Sequence, residues 1–213
     1  MKAGADTLRT FVAIPVSAEV RSLLASFTGE AKRLFPGYRF VAPESLHITL
    51  QFLGEVPRRS LDDIREALRE AIQGNNPFRV SFCEAGAFPE RGAPRILHIA
   101  ATGGKEPLAS LARDVRKNLF ALGYGDSKPF APHITLGREK RGPALGRLGS
   151  PSGGPAQRPA DIRSLWKDSF RRYLEEKNVK PGWDVTEIVL MQSVLRPEGA
   201  LYTPLAAFGL HGT

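Results

Sequence analysis

His47-Ile48-Thr49-Leu50 returns intact as His133-Ile134-Thr135-Leu136. Each copy sits in an apolar, β-branched run, residues 46–53 and 130–137, and both runs read as strands. Side chains on a strand alternate faces, so His and Thr share one face while Ile and Leu enter a core from the other. Two such strands set against each other bring two imidazoles and two hydroxyls to one pocket. Opening a phosphodiester needs one group to take a proton and another to give one, and histidine titrates near neutrality. Thr49 and Thr135 supply hydroxyls for phosphoryl oxygens that gain charge in the transition state. A lone His-x-Thr is commonly structural; duplication in matching strands, with Pro132 before and Arg138 after the second copy, favours chemistry at His47 and His133. Arg138 lies an odd number of residues beyond Thr135, so a regular strand turns it away from the pocket, and only a twist or bulge at Gly137 returns it.

Working outward, residues 9–15 read as a strand and Ser17 as the cap of a helix through Val20, Leu23, Leu24, Phe27, Ala31 and Leu34. A short strand at 38–41 and a turn at 43–45 lead into the first copy, whose strand is expected to stop at Gly54. Ser60 then caps a second helix with Leu61, Ile64, Leu68 and Ile72 as its buried stripe. Strands at 78–88 and 95–101 precede a third helix through Leu108, Leu111, Val115, Leu119 and Leu122, and the second copy follows. Residues 142–160, rich in Gly, Pro, Ser and Arg, read as a flexible loop. A fourth helix at 161–178 and two terminal strands, 185–195 and 201–210, complete the chain. This order predicts an α+β fold with mostly antiparallel pairing, one unit over residues 1–213, in which strand, helix, histidine strand and helix occur twice.

The net charge of +8 favours an anionic partner, nucleic acid foremost. Cys83 is the only cysteine, which excludes an intrachain disulfide and fits a reducing compartment. The apolar run at 11–16 is too short for a signal-peptide core or a membrane span, so a cytoplasmic protein with no membrane partner is expected. The four histidines and the cysteine show no compact ligand spacing, and no Gly-x-x-x-x-Gly-Lys loop occurs, so neither a metal nor another cofactor is expected.

Arg9-Thr10-Phe11-Val12-Ala13-Ile14-Pro15, the stretch from Leu46 through Gly54, the stretch from Pro129 through Arg138, Val189-Leu190-Met191-Gln192-Ser193 and Gly199-Ala200-Leu201-Tyr202 stand together in one order. In these segments the chain resembles the two-histidine phosphoesterases, and within them the RNA 2',3'-cyclic phosphodiesterases once called 2'-5' RNA ligases. The resemblance implies a bilobal, pseudo-symmetric fold with mostly antiparallel sheets flanking a central groove and helices outside. It also implies metal-independent hydrolysis of an RNA-terminal 2',3'-cyclic phosphate to a 2'-phosphomonoester. By the same resemblance His47 protonates the leaving 3'-oxygen, His133 activates water, Thr49 and Thr135 contact phosphate, and Arg138 matches the basic residue after the second motif.

Two other readings stay open: ATP-independent, reversible 2'-5' ligation of RNA halves, and a non-catalytic RNA-binding module. RNA ends carrying a cyclic phosphate are the expected partner, without separating tRNA fragments from small cyclic nucleotides, and a monomer is expected. Phe40 and His98 stand where relatives carry Trp and another aromatic residue, which bears on base stacking. His98 by itself reads as a strand histidine without a catalytic part, and Phe52 and Phe88 read as core; Phe130 and Tyr202 are left between core packing and base stacking. The segment 139–183, with Arg163, Lys167, Arg171 and Arg172 on its helix, reads first as a solvated charged face and second as an extension of the RNA surface.

Overall fold

The computed structural model describes residues 6–125, 129–140, 159–196 and 199–211. They form, in chain order, β1 (Thr7–Pro15), α1 (Ala18–Leu34), β2 (Tyr38–Phe40), β3 (His47–Pro57), α2 (Leu61–Ile72), β4 (Phe78–Ser81), β5 (Glu84–Phe88), β6 (Ile96–Ala100), α3 (Lys105–Ala121), β7 (His133–Glu139), α4 (Pro159–Lys177), β8 (Gly182–Val185), β9 (Glu187–Arg196) and β10 (Gly199–Gly209). One sheet runs in the order β10-β9-β1-β3-β7-β6-β5 with β2 added on β7, and β4 pairs β8 in a second. Every strand pairing is antiparallel, so the α+β architecture is the one expected.

The large sheet contains two three-stranded units, β9-β1-β3 and β5-β6-β7. β1 feeds α1 and β6 feeds α3, and each helix leads on to a histidine strand, β3 by way of the short β2 and β7 directly, so the twofold order read in the sequence is present in space. The units meet where Ile48 pairs with Ile134.

Helical spacing becomes burial in a direct way. In α1 the Ser17 hydroxyl accepts from the Val20 amide at 3.3 Å, and Val20, Leu24, Phe27 and Ala31 face the core. Phe27 meets Trp166, Phe170 and Tyr173 of α4 at ring separations of 5.1, 5.0 and 5.2 Å, an aromatic layer that binds α4 to α1. Leu61, Ile64 and Leu68 of α2 and Leu108, Leu111, Val115 and Leu119 of α3 are buried in the same core.

Several boundaries differ from expectation. β3 passes through Gly54, whose φ of +77° accommodates a break in register between Thr10 and Phe11 of β1, and continues to Pro57. Ser60 makes no side-chain cap; a single 3-10 turn at Arg58–Ser60 delivers the chain into α2 instead. The expected strand at 78–88 is two, because β4 leaves the large sheet for β8, which also takes Val185 out of the terminal hairpin. Pro159 and Ala160 begin α4, whereas the rest of the expected loop at 142–160 and Pro197-Glu198 of the terminal turn lie outside the described residues. Among the described residues no helix is long and apolar enough to cross a membrane.

Candidate active site

The Ile48–Ile134 pair sets the geometry. In an antiparallel register it puts His47 across from Thr135 and Thr49 across from His133, and alternation turns all four side chains to one face of the sheet. Both isoleucines point the other way and are fully buried. His47, Thr49, His133 and Thr135 are half-buried along the line where the two units join.

Each motif carries a bulge at its fourth residue. Val12 pairs with Gln51 and Ala13 with Thr49, leaving Leu50 as the extra residue; Leu97 pairs with Gly137 and His98 with Thr135, leaving Leu136. The consequence is equivalent in the two units. Phe11 faces Phe52, and Ile96 faces Arg138, so Phe52 and Arg138 return to the face of the histidines. Arg138 is therefore on the site, where a regular strand would have turned it away.

The two imidazoles are held alike. Nδ1 of His47 donates to the Ser45 carbonyl at 2.7 Å, and Nδ1 of His133 donates to the Ala131 carbonyl at 2.7 Å, each two residues back. This contact fixes the tautomer and leaves Nε2 as the reactive nitrogen in both rings. The Thr49 hydroxyl donates to Nε2 of His47 at 3.1 Å. Aromatic rings frame each imidazole: Phe11 and Tyr202 stand 4.9 and 5.2 Å from His47, and Phe88 and His98 stand 5.1 and 5.2 Å from His133.

Burial pushes His47 down to about 4; the Ser45 carbonyl works against it, and the charges of Arg138 and His133 add to it. His133 is lowered by burial, opposed by the Ala131 carbonyl and assisted by Arg138. Arg138 thus acts on both rings. In the ligand-free site both imidazoles are neutral near pH 7, and an arriving phosphodiester anion favours the protonated forms. Among the described residues no three of His, Cys, Asp and Glu gather closely enough to hold a metal ion.

The sequence pattern of the family described as LigT like Phosphoesterase matches residues 14–98. A curated RNA 2',3'-cyclic phosphodiesterase of Archaeoglobus fulgidus is 34% identical over 94% of this chain and 99% of its own. The chain belongs to the LigT-like phosphoesterase family. A second curated protein of that name, from Geobacillus stearothermophilus, is 38% identical over 95% of this chain, which spans 57% of that relative. The crystal structure of a Thermus thermophilus protein superposes with a TM-score of 0.71 at 30% identity, covering 96% of this chain and 99% of the other.

Within this LigT-like phosphoesterase, Phe52 and Phe88 depart from the core positions expected of them, while Tyr202, left open by the sequence, stands beside His47 and Phe40 lies away from it. Phe52 is 54% exposed, not core, because the Leu50 bulge moves it to the site face. Phe88 stacks on His98 at 4.2 Å and meets His133 edge-on, so it borders the site. Tyr202 joins Phe11 against His47. Phe40 lies opposite Gly137 and packs toward Trp166, on the side of the sheet away from the histidines.

His98 is a strand histidine, as read, and it lies beside the second motif. It is 6% exposed, pairs with Thr135 across β6–β7, and its ring lies over Gly86, where a Cβ would stand 2.6 Å from Cε1. Trp166 Nε1 donates to its carbonyl at 3.0 Å, tying α4 to the second unit. Its Nδ1 is buried and has no hydrogen-bond partner among the described residues, and burial, then the charge of His133, lowers its pKa to about 4.

Proposed function

We propose that this phosphoesterase opens RNA-terminal 2',3'-cyclic phosphates by general acid–base catalysis with two histidines. The observation that carries the reading is the antiparallel seating of the two copies about Ile48 and Ile134, with Nδ1 of each histidine held by a backbone carbonyl so that Nε2 is the exchanging nitrogen, met in His47 by the Thr49 hydroxyl. His133 Nε2 takes a proton from water as the water oxygen bonds to phosphorus. The P–O3' bond breaks, and the leaving 3'-oxygen takes the proton from His47 Nε2, so the phosphate stays on the 2'-oxygen. For this step His47 must enter the complex protonated. The substrate anion favours that state, and the Thr49 hydroxyl, released from Nε2, turns to a phosphoryl oxygen beside Thr135 and Arg138.

The relatives named RNA 2',3'-cyclic phosphodiesterase support the substrate class. tRNA fragments, a monomeric state and a cytoplasmic setting belong to the same proposal, the last on the single cysteine. Incubating the protein with a nucleoside 2',3'-cyclic phosphate in excess EDTA tests it. A 2'-phosphate product supports the reading; a 3'-phosphate, or turnover only after metal is restored, overturns it. Supplying a 5'-hydroxyl RNA together with a cyclic-phosphate end reports the reverse, ligating direction through a 2'-5' linked product.

A further inference from the structure

One basic surface stands apart from the histidines. Arg113, Arg116 and Lys117 follow one another at helical spacing on α3, and with Phe120, Tyr124 and Phe130 they line a hollow of about 420 Å³. Among the described residues no acidic side chain lines it. Arg113 and Lys117 are exposed and make no ion pair among the described residues. Phe120 is 71% exposed, the most open large apolar side chain among the described residues. On α4, by contrast, Arg171 is engaged with Asp168 and Glu175, and Arg163 donates to the carbonyls of Pro89 and Gly92.

The hollow is tied to both motifs. Gln51, two residues past Thr49 and 3% exposed, is turned toward α3 by the Leu50 bulge and accepts from Arg116 Nε at 2.7 Å. Gly125 passes directly over it, where a Cβ would stand 3.1 Å from Nε2. Phe130 precedes His133 by three residues, a reach of at most ~10 Å along the chain.

We infer that this hollow binds the single-stranded RNA leading to the reacting end, its phosphates on Arg113 and Lys117 and a base against Phe120. Cations interleaved with an open aromatic ring are the pattern that holds a strand without reading its sequence. The inference rests on the RNA phosphodiesterase reading and adds a site that a mononucleotide is too short to reach.

The test compares a cyclic-phosphate-ended oligoribonucleotide of about ten residues with a nucleoside 2',3'-cyclic phosphate, in the wild type, the Arg113→Gln/Lys117→Gln double variant and Phe120→Ala. The KM for the oligonucleotide is expected to rise about tenfold in each variant, with mononucleotide kcat/KM held within about twofold. In the double variant the slope of log KM against log salt falls by roughly 1.4, two phosphate contacts on a single strand. An unchanged oligonucleotide KM, or an equal loss on both substrates, overturns the inference. Phe120 is exposed, so its variant serves if the double variant fails to fold. If the wild type opens neither substrate, the phosphodiesterase reading falls instead, and fluorescence anisotropy with a labelled 2'-phosphate-ended oligonucleotide still decides the hollow: undiminished binding by the variants overturns it.

Discussion

Ile48 and Ile134 pair across β3 and β7, and theirs is the one register pair joining those strands among the described residues. Each is the second residue of its motif and each is fully buried, so the contact that joins the two units also seats the histidines. Ile134→Ala should therefore cost about 2–5 kcal/mol in urea unfolding. Turnover of the folded variant should also drop, because the two imidazoles lose their common reference. A variant that loses stability while keeping full kcat would separate the seam from the site.

Arg138 presses on both rings, so its removal should be read at the histidines. In Arg138→Gln the pKa of His47 and that of His133 both rise, since the lost charge had opposed protonation. Titration of the imidazole resonances by NMR reports this directly. Inorganic phosphate added to the wild type should move both in the same direction. If neither ring responds to the substitution, Arg138 does not reach the site.

His98 supplies a pH-dependent contribution to stability. Its folded pKa of about 4 lies below the unfolded value near 6.5, so the unfolded chain takes up the proton first as pH falls. The stabilisation is complete above about pH 6.5 and is lost as pH falls through about 4. Relative to His98→Phe, the wild type should lose Tm steadily across that window. A constant difference between the two melting curves would show that His98 does not titrate in this way.

Gly86 leaves room for that same imidazole. Gly86→Ala is expected to destabilise by about 1–3 kcal/mol, because the new Cβ meets the His98 ring at 2.6 Å. In a His98→Ala background most of this cost should vanish, giving a coupling of roughly the same size. Additive losses in the double-mutant cycle would place the strain elsewhere.

How far the chain could be read in advance depended on whether a feature was local. The two motif strands, the Ser17 cap and most of the apolar stripes of four helices rest on spacing within a dozen residues and stand where periodicity put them, whereas Leu34 and Leu122, expected at the ends of their stripes, are exposed. Strict alternation failed where a partner strand intervened. The bulges at Leu50 and Leu136 exist only in the ladders with β1 and β6, and they carry Phe52 and Arg138 back to the site against the local pattern. The β4–β8 pairing joins segments a hundred residues apart, and nothing in the residues of either strand names the other. His98 looked inert because its neighbours Phe88, Gly86 and Trp166 come from three separate stretches of chain.

The central claim is that two imidazoles, one from each unit, act together on one phosphorus atom. Its most direct measurement is metal-free turnover of a nucleoside 2',3'-cyclic phosphate by the wild type, His47→Ala, His133→Ala and the double variant. Each single substitution should lower kcat by on the order of a hundredfold or more, and the double should be scarcely worse than either single. Near-normal turnover by either single variant, or losses that simply multiply in the double, would contradict it.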